Sequence, residues 1–180
     1  GAHSASTVQS LGLGTSIIVQ NGGNLLAAGS PAPDFSLPDA TGNMISLTSF
    51  RGSWLVLYFY PRDNTSGCTL EAVDFTGRVK EFKKLKASIA GISPDTVDSH
   101  RKFIATHALK LRLLSDPDHR VMERYGAWGE KTMYGKKTVG VKRSTVLIDP
   151  RGAVAFHWPN VKAAGHAEVV RGKLAELRQR

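Results

Sequence analysis

Seven consecutive apolar and aromatic residues, Trp54 to Tyr60, form a run that Pro61 ends. A run with no alternating polar side chains is typical of a strand that is buried on both faces. It is far shorter than the ~20 residues that a membrane-spanning helix needs. Since such a strand must be covered on both sides, we predict an α/β chain built around a central sheet.

Strand and helix patterns alternate on either side of this run. Apolar segments at 35–37 and 44–47 flank a turn-rich stretch and predict a hairpin. From Cys68 the apolar period becomes helical and continues through Leu85. The remaining segments predict strands at 89–93, 111–114, 144–148 and 153–156, and helices at 97–108, 121–125 and 167–177. This order predicts a mixed sheet flanked by helices on both faces.

The N-terminal part of the chain has a different composition from the rest. Residues 1–33 contain no Lys, Arg, Asp or Glu. We interpret residues 1–29 as an N-terminal extension, with a cloning remnant at 1–4, and residues 30–180 as the domain. Alternation near 15–19 predicts an edge strand, and Gly22-Gly23 is typical of a hairpin turn, so we expect a β-hairpin extension. The segment lacks the basic start and cleavage pattern of a signal peptide.

The distribution of charge and the positions of the histidines limit the kinds of partner and ligand that we expect. The net charge is +9, and residues 120–180 carry thirteen bases against five acids. Because no dense basic run with interleaved aromatics occurs, we expect no nucleic-acid partner. His100 and His107 are seven residues apart and share a predicted helix face, but no third ligand stands at metal spacing. We interpret them as a solvated pair and expect no metal.

The only cysteine, Cys68, lies where the predicted helix begins. A single cysteine excludes an intramolecular disulfide, a CxxC redox pair and a zinc site built on several thiolates. A helix N-terminus presents unpaired N–H groups and partial positive charge, and both stabilise a thiolate. Since the neighbouring residues are small, polar or turn-forming, the position favours a reactive cysteine over a structural one.

The residues around Cys68 also carry a resemblance. Pro61-x-x-x-Thr65-x-x-Cys68 is similar to the active-site motif of peroxiredoxins, and 58–72 resembles their bacterioferritin-comigratory-protein (PrxQ) branch. Further segments match in order, at 32–37, 91–95, 113–118, 125–131 and 143–149, so the resemblance extends from about Gly29 to Arg180. It implies a thioredoxin-like fold. It also implies a cofactor-free thiol peroxidase for hydrogen peroxide and small alkyl hydroperoxides, acting in antioxidant defence.

The resemblance implies a role for each motif residue. Cys68 would be the peroxidatic thiolate, which becomes a sulfenic acid. Thr65 would hydrogen-bond the thiolate and the peroxide, and Pro61 would cover the pocket. The N–H groups of Gly67 and Cys68 would donate to the peroxide. Simpler alternatives are a strand end at Pro61 and a helix cap at Thr65.

Two charged residues complete the implied site. Arg143 would stabilise the thiolate and the charge that develops on the departing oxygen. Glu71, three residues after Cys68 and therefore on the same helix face, would orient Arg143. The alternatives are an ordinary exposed base at Arg143 and a simple helix-dipole partner at Glu71.

The chain departs from the branch in its resolving cysteine. Many members carry a second cysteine five residues after the first or in the following helix, but Val73 stands at the fifth position here. With no resolving cysteine, an external thiol, from a thioredoxin-type protein or a small molecule, would reduce the sulfenic acid. A Cys68–Cys68 bond between chains and an engineered loss of cysteine at Val73 both stay open. We expect a monomer or weak dimer without a membrane partner, in the cytoplasm, with export or an organelle still open.

A second function class stays open beside the peroxidase. A non-catalytic thioredoxin-like binding or chaperone module would use the basic last third of the chain on acidic partners. Slow reaction of Cys68 with peroxide would favour that module, and salt-insensitive or absent polyanion binding would exclude it.

Overall fold

The computed structural model describes residues 26–179, so the features predicted at 1–4, 15–19 and Gly22-Gly23 lie outside it. The strands are β1 (Ser36–Pro38), β2 (Met44–Ser46), β3 (Trp54–Phe59), β4 (Ala87–Ser93), β5 (Arg112–Ser115), β6 (Trp128–Met133), β7 (Lys136–Val141), β8 (Ser144–Ile148) and β9 (Val154–Trp158). The helices are α1 (Ser66–Gly77), α2 (Val79–Lys84), α3 (Val97–His107), α4 (Arg120–Arg124) and α5 (His166–Arg178).

A five-stranded mixed sheet lies at the centre, in the order β5-β4-β3-β8-β9. Strands β3, β4 and β5 run parallel, while β8 is antiparallel to β3 and β9 antiparallel to β8. The apolar run that ends at Pro61 forms β3 in the middle, and the side chains of 55–59 are almost completely buried. The predicted central strand is therefore confirmed.

Two cores cover the two faces of the sheet. On one face α1, α2, α3 and α5 pack their apolar sides, including Phe75, Phe82 and Phe103. On the other face lie the hairpin β1–β2, a short 3₁₀ helix at Leu47–Phe50, and α4. The predicted hairpin and the mixed sheet with helices on both faces are confirmed. Among residues 26–179 no helix has the length and apolar character needed to cross a bilayer.

Two features differ from the sequence prediction. The helical period after Cys68 continues across two helices, because α1 ends at Gly77 and the N–H of Arg78 donates to the Phe75 carbonyl (3.0 Å). Phe82 of α2 still packs on the same core, which preserves the apolar period. The hairpin β6–β7 stands outside the central sheet and was not predicted. Its turn, Tyr134-Gly135, has positive φ at both residues, as a tight two-residue hairpin requires.

Candidate active site

Cys68 lies in the first turn of α1, which follows β3 after a loop of residues 60–65. The N–H of Thr69 donates to the Thr65 carbonyl (2.9 Å), which begins the helical hydrogen bonds. The N–H groups of Gly67 and Cys68 therefore precede these bonds at the positive end of the helix. The cysteine is only 1% exposed. This is the helix-start position that the sequence predicts.

Arg143 reaches Cys68 because of the pairing between β3 and β8. The antiparallel register sets Phe59 opposite Ser144, so the residue before β8 lies at the carboxyl end of β3. From there Arg143 Nη2 donates to Cys68 Sγ at 3.2 Å. Two residues that are far apart in the sequence thus meet through sheet topology, and the guanidinium is no ordinary exposed base.

Glu71 holds the other edge of the guanidinium. Arg143 Nη1 donates to Glu71 Oε1 at 2.7 Å, and the Glu71 side chain is fully buried. Burial raises the pKa of Glu71 to about 7, against the opposing effect of Arg143. Burial by itself would lower the pKa of Arg143, but the charges of Glu71 and Cys68 raise it. Within residues 26–179 no group hydrogen-bonds Glu71 Oε2.

The other predicted site residues differ in what they contact near this cluster. A Cβ on Gly67 would lie 3.3 Å from Arg143 Nη2, so the absence of a side chain gives the guanidinium room. Pro61 is half-buried just past β3. Thr65 is exposed, and its hydroxyl donates to the Arg62 carbonyl (2.9 Å) and not to the sulfur. Thr65 precedes α1 but caps none of its N–H groups through its side chain.

Sequence reasoning assigned no role to Tyr58, which lies close to the charged cluster. Its ring stacks on Tyr60 and Phe75, with centroid distances of 5.5 and 4.9 Å. Burial, with the nearby charges of Glu71 and Cys68, raises the pKa of Tyr58. A Cβ on Gly91 would lie 2.8 Å from the Tyr58 ring, so only glycine fits beneath it. The enrichment of aromatic residues in β3 was the sequence signal that could have pointed to Tyr58.

A second polar cluster lies under the loop between β3 and α1. Asp63 Oδ1 accepts from the Tyr60 hydroxyl (2.6 Å). Asp63 Oδ2 contacts His100 Nδ1 (2.8 Å) and accepts from Ser99 Oγ (2.8 Å). His100 is 0% exposed, so the interpretation of His100 and His107 as a solvated pair was wrong for His100, whereas His107 is half-buried. Periodicity placed both on one helix face but did not indicate that this face is inward.

Asp63, Asp95 and His100 have donor atoms close enough to hold a metal ion, within 4.8 Å of one another. Their donor atoms are already engaged with protein groups. Asp95 Oδ2 accepts from the Asp63 N–H (2.8 Å) and from Ser93 Oγ (2.7 Å). With both Asp63 oxygens also hydrogen-bonded, this group is an internal network rather than a set of free ligands.

The geometry of the Cys68 cluster suits attack by a sulfur anion. A guanidinium and the N-terminal turn of a helix face one buried sulfur. These groups stabilise negative charge on the sulfur and on an oxygen that leaves in its immediate neighbourhood. His166, buried beside Thr145, adds no competing cation, because burial lowers its pKa to about 4.

Comparison with known proteins gives consistent matches. The family model described as AhpC/TSA family matches residues 28–157. Peroxiredoxin Bcp of Xanthomonas campestris pv. campestris is 44% identical over 142 residues, covering 78% of this chain and 89% of that protein. Peroxiredoxin Bcp of Escherichia coli (strain K12) is 40% identical over 153 residues, covering 85% and 98%.

A solved structure gives the same match in three dimensions. It is the Xanthomonas campestris bacterioferritin comigratory protein, studied as trapped intermediate and ligand complexes for its alkyl peroxide reduction activity. It is 40% identical, has a TM-score of 0.77, and covers 83% of this chain and 98% of its own. The mixed sheet and its helices thus match a structure over nearly all of that structure's length.

Proposed function

The chain belongs to the AhpC/TSA family and is a thiol peroxidase, a peroxiredoxin of the bacterioferritin-comigratory-protein branch, and we propose that Cys68 is its peroxidatic residue. The observation that carries this assignment is the hydrogen bond of 3.2 Å from Arg143 Nη2 to Cys68 Sγ. Its substrates are a peroxide and a reducing thiol, and it has the thioredoxin-like fold.

The first step uses the charged cluster. The Cys68 thiolate attacks one oxygen of the peroxide, an S–O bond forms and the O–O bond breaks. The sulfur is oxidised to a sulfenic acid, and the departing oxygen takes a proton and leaves as water or an alcohol. Arg143 bonds the sulfur and stabilises the developing charge, while Glu71 positions Arg143. The N–H groups of Gly67 and Cys68 orient the peroxide, which Pro61 shields from water.

Thr65 has a lesser role in this proposal. Its hydroxyl bonds the Arg62 carbonyl, which braces the loop before α1. To bond the thiolate or the peroxide, the hydroxyl would rotate away from that carbonyl. Hydrogen peroxide and small alkyl hydroperoxides are the substrates we propose, since the similar Xanthomonas protein is described by its alkyl peroxide reduction activity.

The second step needs a thiol from outside the chain, because Cys68 is the only cysteine. That thiol attacks the sulfenic sulfur, releases water and forms a mixed disulfide. A second thiol then restores Cys68 and leaves as the reductant's disulfide. We infer a thioredoxin-type protein or a small thiol as the reductant, a monomer or weak dimer as the working form, and the cytoplasm as the location.

Stopped-flow mixing of the reduced protein with one equivalent of hydrogen peroxide tests the assignment. We expect rapid consumption, a mass increase of one oxygen on Cys68, and capture of the sulfenic acid by a cyclic 1,3-diketone. The Cys68→Ser variant is the matched control and should show none of these. A wild-type rate equal to that of free cysteine would refute the assignment. Adding thioredoxin-type or small thiols afterwards identifies the reductant by recovery of the thiol.

A further inference from the structure

One face of α3 contacts the loop that leads from β3 to Cys68. His100 bonds Asp63, and His107 Nε2 lies 3.3 Å from Asn64 Oδ1. Ser99, next to His100, donates to the same Asp63 carboxylate. The two histidines with helical spacing therefore both contact neighbouring residues of the loop.

Within this face His100 connects Asp63 to β5. Its Nδ1 lies 2.8 Å from the Asp63 carboxylate, and its Nε2 lies 3.1 Å from the Leu114 carbonyl. The imidazole therefore links the loop before α1 to a strand of the central sheet. The pair is completely buried, so its hydrogen bond forms away from water.

The loop is held mainly through Asp63. Its side chain joins Tyr60, Ser99 and His100, and its N–H donates to Asp95. The neighbouring residues 62 and 64–66 are exposed. Asn64 has a φ of 63°, a left-handed conformation that asparagine tolerates and that the hydrogen bond to His107 supports. If the Asp63 side chain is released, the side-chain hydrogen bonds that remain among residues 62–65 are those of Asn64 with His107 and of Thr65 with the Arg62 carbonyl.

We propose that His100 is a positioning residue, which acts through Asp63 to keep the peroxidatic loop closed over Cys68. Closure sets the sulfur against Arg143 for a small peroxide and restricts the access of larger reagents. The loop must open for an external thiol to reach a sulfur that is 1% exposed. The contact between His100 and Asp63 therefore governs the balance between oxidation and reduction of Cys68. This inference rests on Cys68 being the peroxidatic residue.

The test measures two reactions of Cys68 in graded variants. Ser99→Ala and Tyr60→Phe each remove one hydrogen bond to Asp63, and His100→Gln removes the contact between the imidazole and Asp63. We expect the peroxide rate to fall about fivefold in each of the first two. It should fall about 10- to 100-fold in His100→Gln through misplacement of the sulfur. Alkylation of Cys68 by iodoacetamide should become faster in the same order.

Two readouts separate positioning from general damage. The plateau of the alkylation rate at high pH reports access to the sulfur alone, because the thiol is then fully ionised. Asp98→Asn is the matched control, since Asp98 lies on α3, is 62% exposed and, among residues 26–179, pairs with Arg101 and Lys102 at the surface. Near-ultraviolet circular dichroism checks the fold, and Ser99→Ala and Tyr60→Phe decide the matter if His100→Gln does not fold.

A slower reaction with peroxide together with faster alkylation of Cys68 supports the proposal. Unchanged rates in the folded variants, or rates that move in the same direction, overturn it. The alkylation measurement does not depend on peroxidase activity. Slow peroxide consumption by the wild-type protein would therefore refute the role of Cys68 in peroxide reduction. A change in alkylation would still report whether His100 closes the loop.

Discussion

Two buried clusters of polar and charged side chains lie next to the loop before α1, and they are built differently. In one, Glu71 bonds Arg143 through a single oxygen, and burial raises the pKa of Glu71 to about 7. In the other, both oxygens of Asp63 are hydrogen-bonded. Burial would raise the pKa of Asp63, but the hydrogen bond and charge of His100 lower it.

We propose that this difference separates a reactive cluster from a structural one. The Arg143 guanidinium divides its donors between a carboxylate and a sulfur, so part of its bonding capacity is directed at the atom that we propose reacts with peroxide. The hydrogen bonds of the Asp63 carboxylate, by contrast, go to neighbouring protein groups. We expect substitutions in the first cluster to change rates and substitutions in the second to change the free energy of unfolding as well.

Arg143→Gln should have the largest effect. It removes the donor to Cys68 Sγ and the positive charge beside the sulfur. Loss of one such preorganised donor costs about 100- to 1000-fold in rate, so we expect that fall in the second-order rate constant with hydrogen peroxide. Stopped-flow fluorescence measures it. Arg151→Gln, at an exposed arginine in the turn before β9, is the control and should react at the wild-type rate.

Asp63→Asn should most strongly reduce stability. It replaces the carboxylate that faces His100 Nδ1 with a neutral amide, inside a pair that is completely buried. Breaking a buried pair by removing one partner costs about 3 to 5 kcal/mol. Chemical denaturation at pH 7 gives the free energy of unfolding. Asp98→Asn should change it by less than about 0.5 kcal/mol. A comparable loss in both variants would contradict the distinction between the clusters.

The reactive cluster was largely predictable from sequence, and the structural cluster was not. The position of Cys68 at a helix start follows from the helical period after Pro61, and the one-turn spacing put Glu71 on the same face. The role of Arg143 came from resemblance, because only the β3–β8 register brings it to the sulfur. His100 was misread, since periodicity identifies a face but not the element that covers it.

Other features of the chain show the same limit. The hairpin β6–β7 escaped prediction because its exposed strands are rich in lysine and lack a clear apolar alternation. The hydroxyl of Thr65 bonds a nearby carbonyl, a local choice of rotamer that no spacing rule predicts. Long apolar runs are predicted well because burial leaves few alternatives. Polar contacts depend on how the covering elements are placed.

Glu71→Gln should remove part of the pH dependence of stability. Because burial raises the pKa of Glu71 from 4.5 to about 7, the folded chain binds more protons than the unfolded chain in that interval. This group therefore lowers the free energy of unfolding as pH rises from about 4.5 to 7, by at most about 3 kcal/mol. Glutamine keeps an oxygen for Arg143 but cannot titrate, so this contribution should vanish.

The measurement is the difference between the wild-type protein and Glu71→Gln at each pH. His157 and His166 act in the opposite sense, because burial lowers both pKa values to about 4 and the unfolded chain then binds more protons below pH 6.5. Their contributions cancel in the difference. Glu81→Gln, at an exposed acid on α2, should leave the pH profile unchanged. A difference that does not vary with pH would show that Glu71 titrates normally.

Gly67→Ala should have the smallest effect, with opposite signs for stability and rate. Alanine favours a helical position by about 0.5 to 1 kcal/mol over glycine, so the free energy of unfolding should rise slightly. The added Cβ would lie 3.3 Å from Arg143 Nη2, and the guanidinium would have to shift by a few tenths of an ångström. Since the same nitrogen bonds Cys68 Sγ, the peroxide rate should fall about threefold.

Gly77→Ala, at the other end of α1 where a Cβ meets nothing within 4 Å, isolates the helical gain. Equal peroxide rates in the two alanine variants would mean that the guanidinium tolerates displacement, and the reactive cluster would then be less tightly built than the structural one.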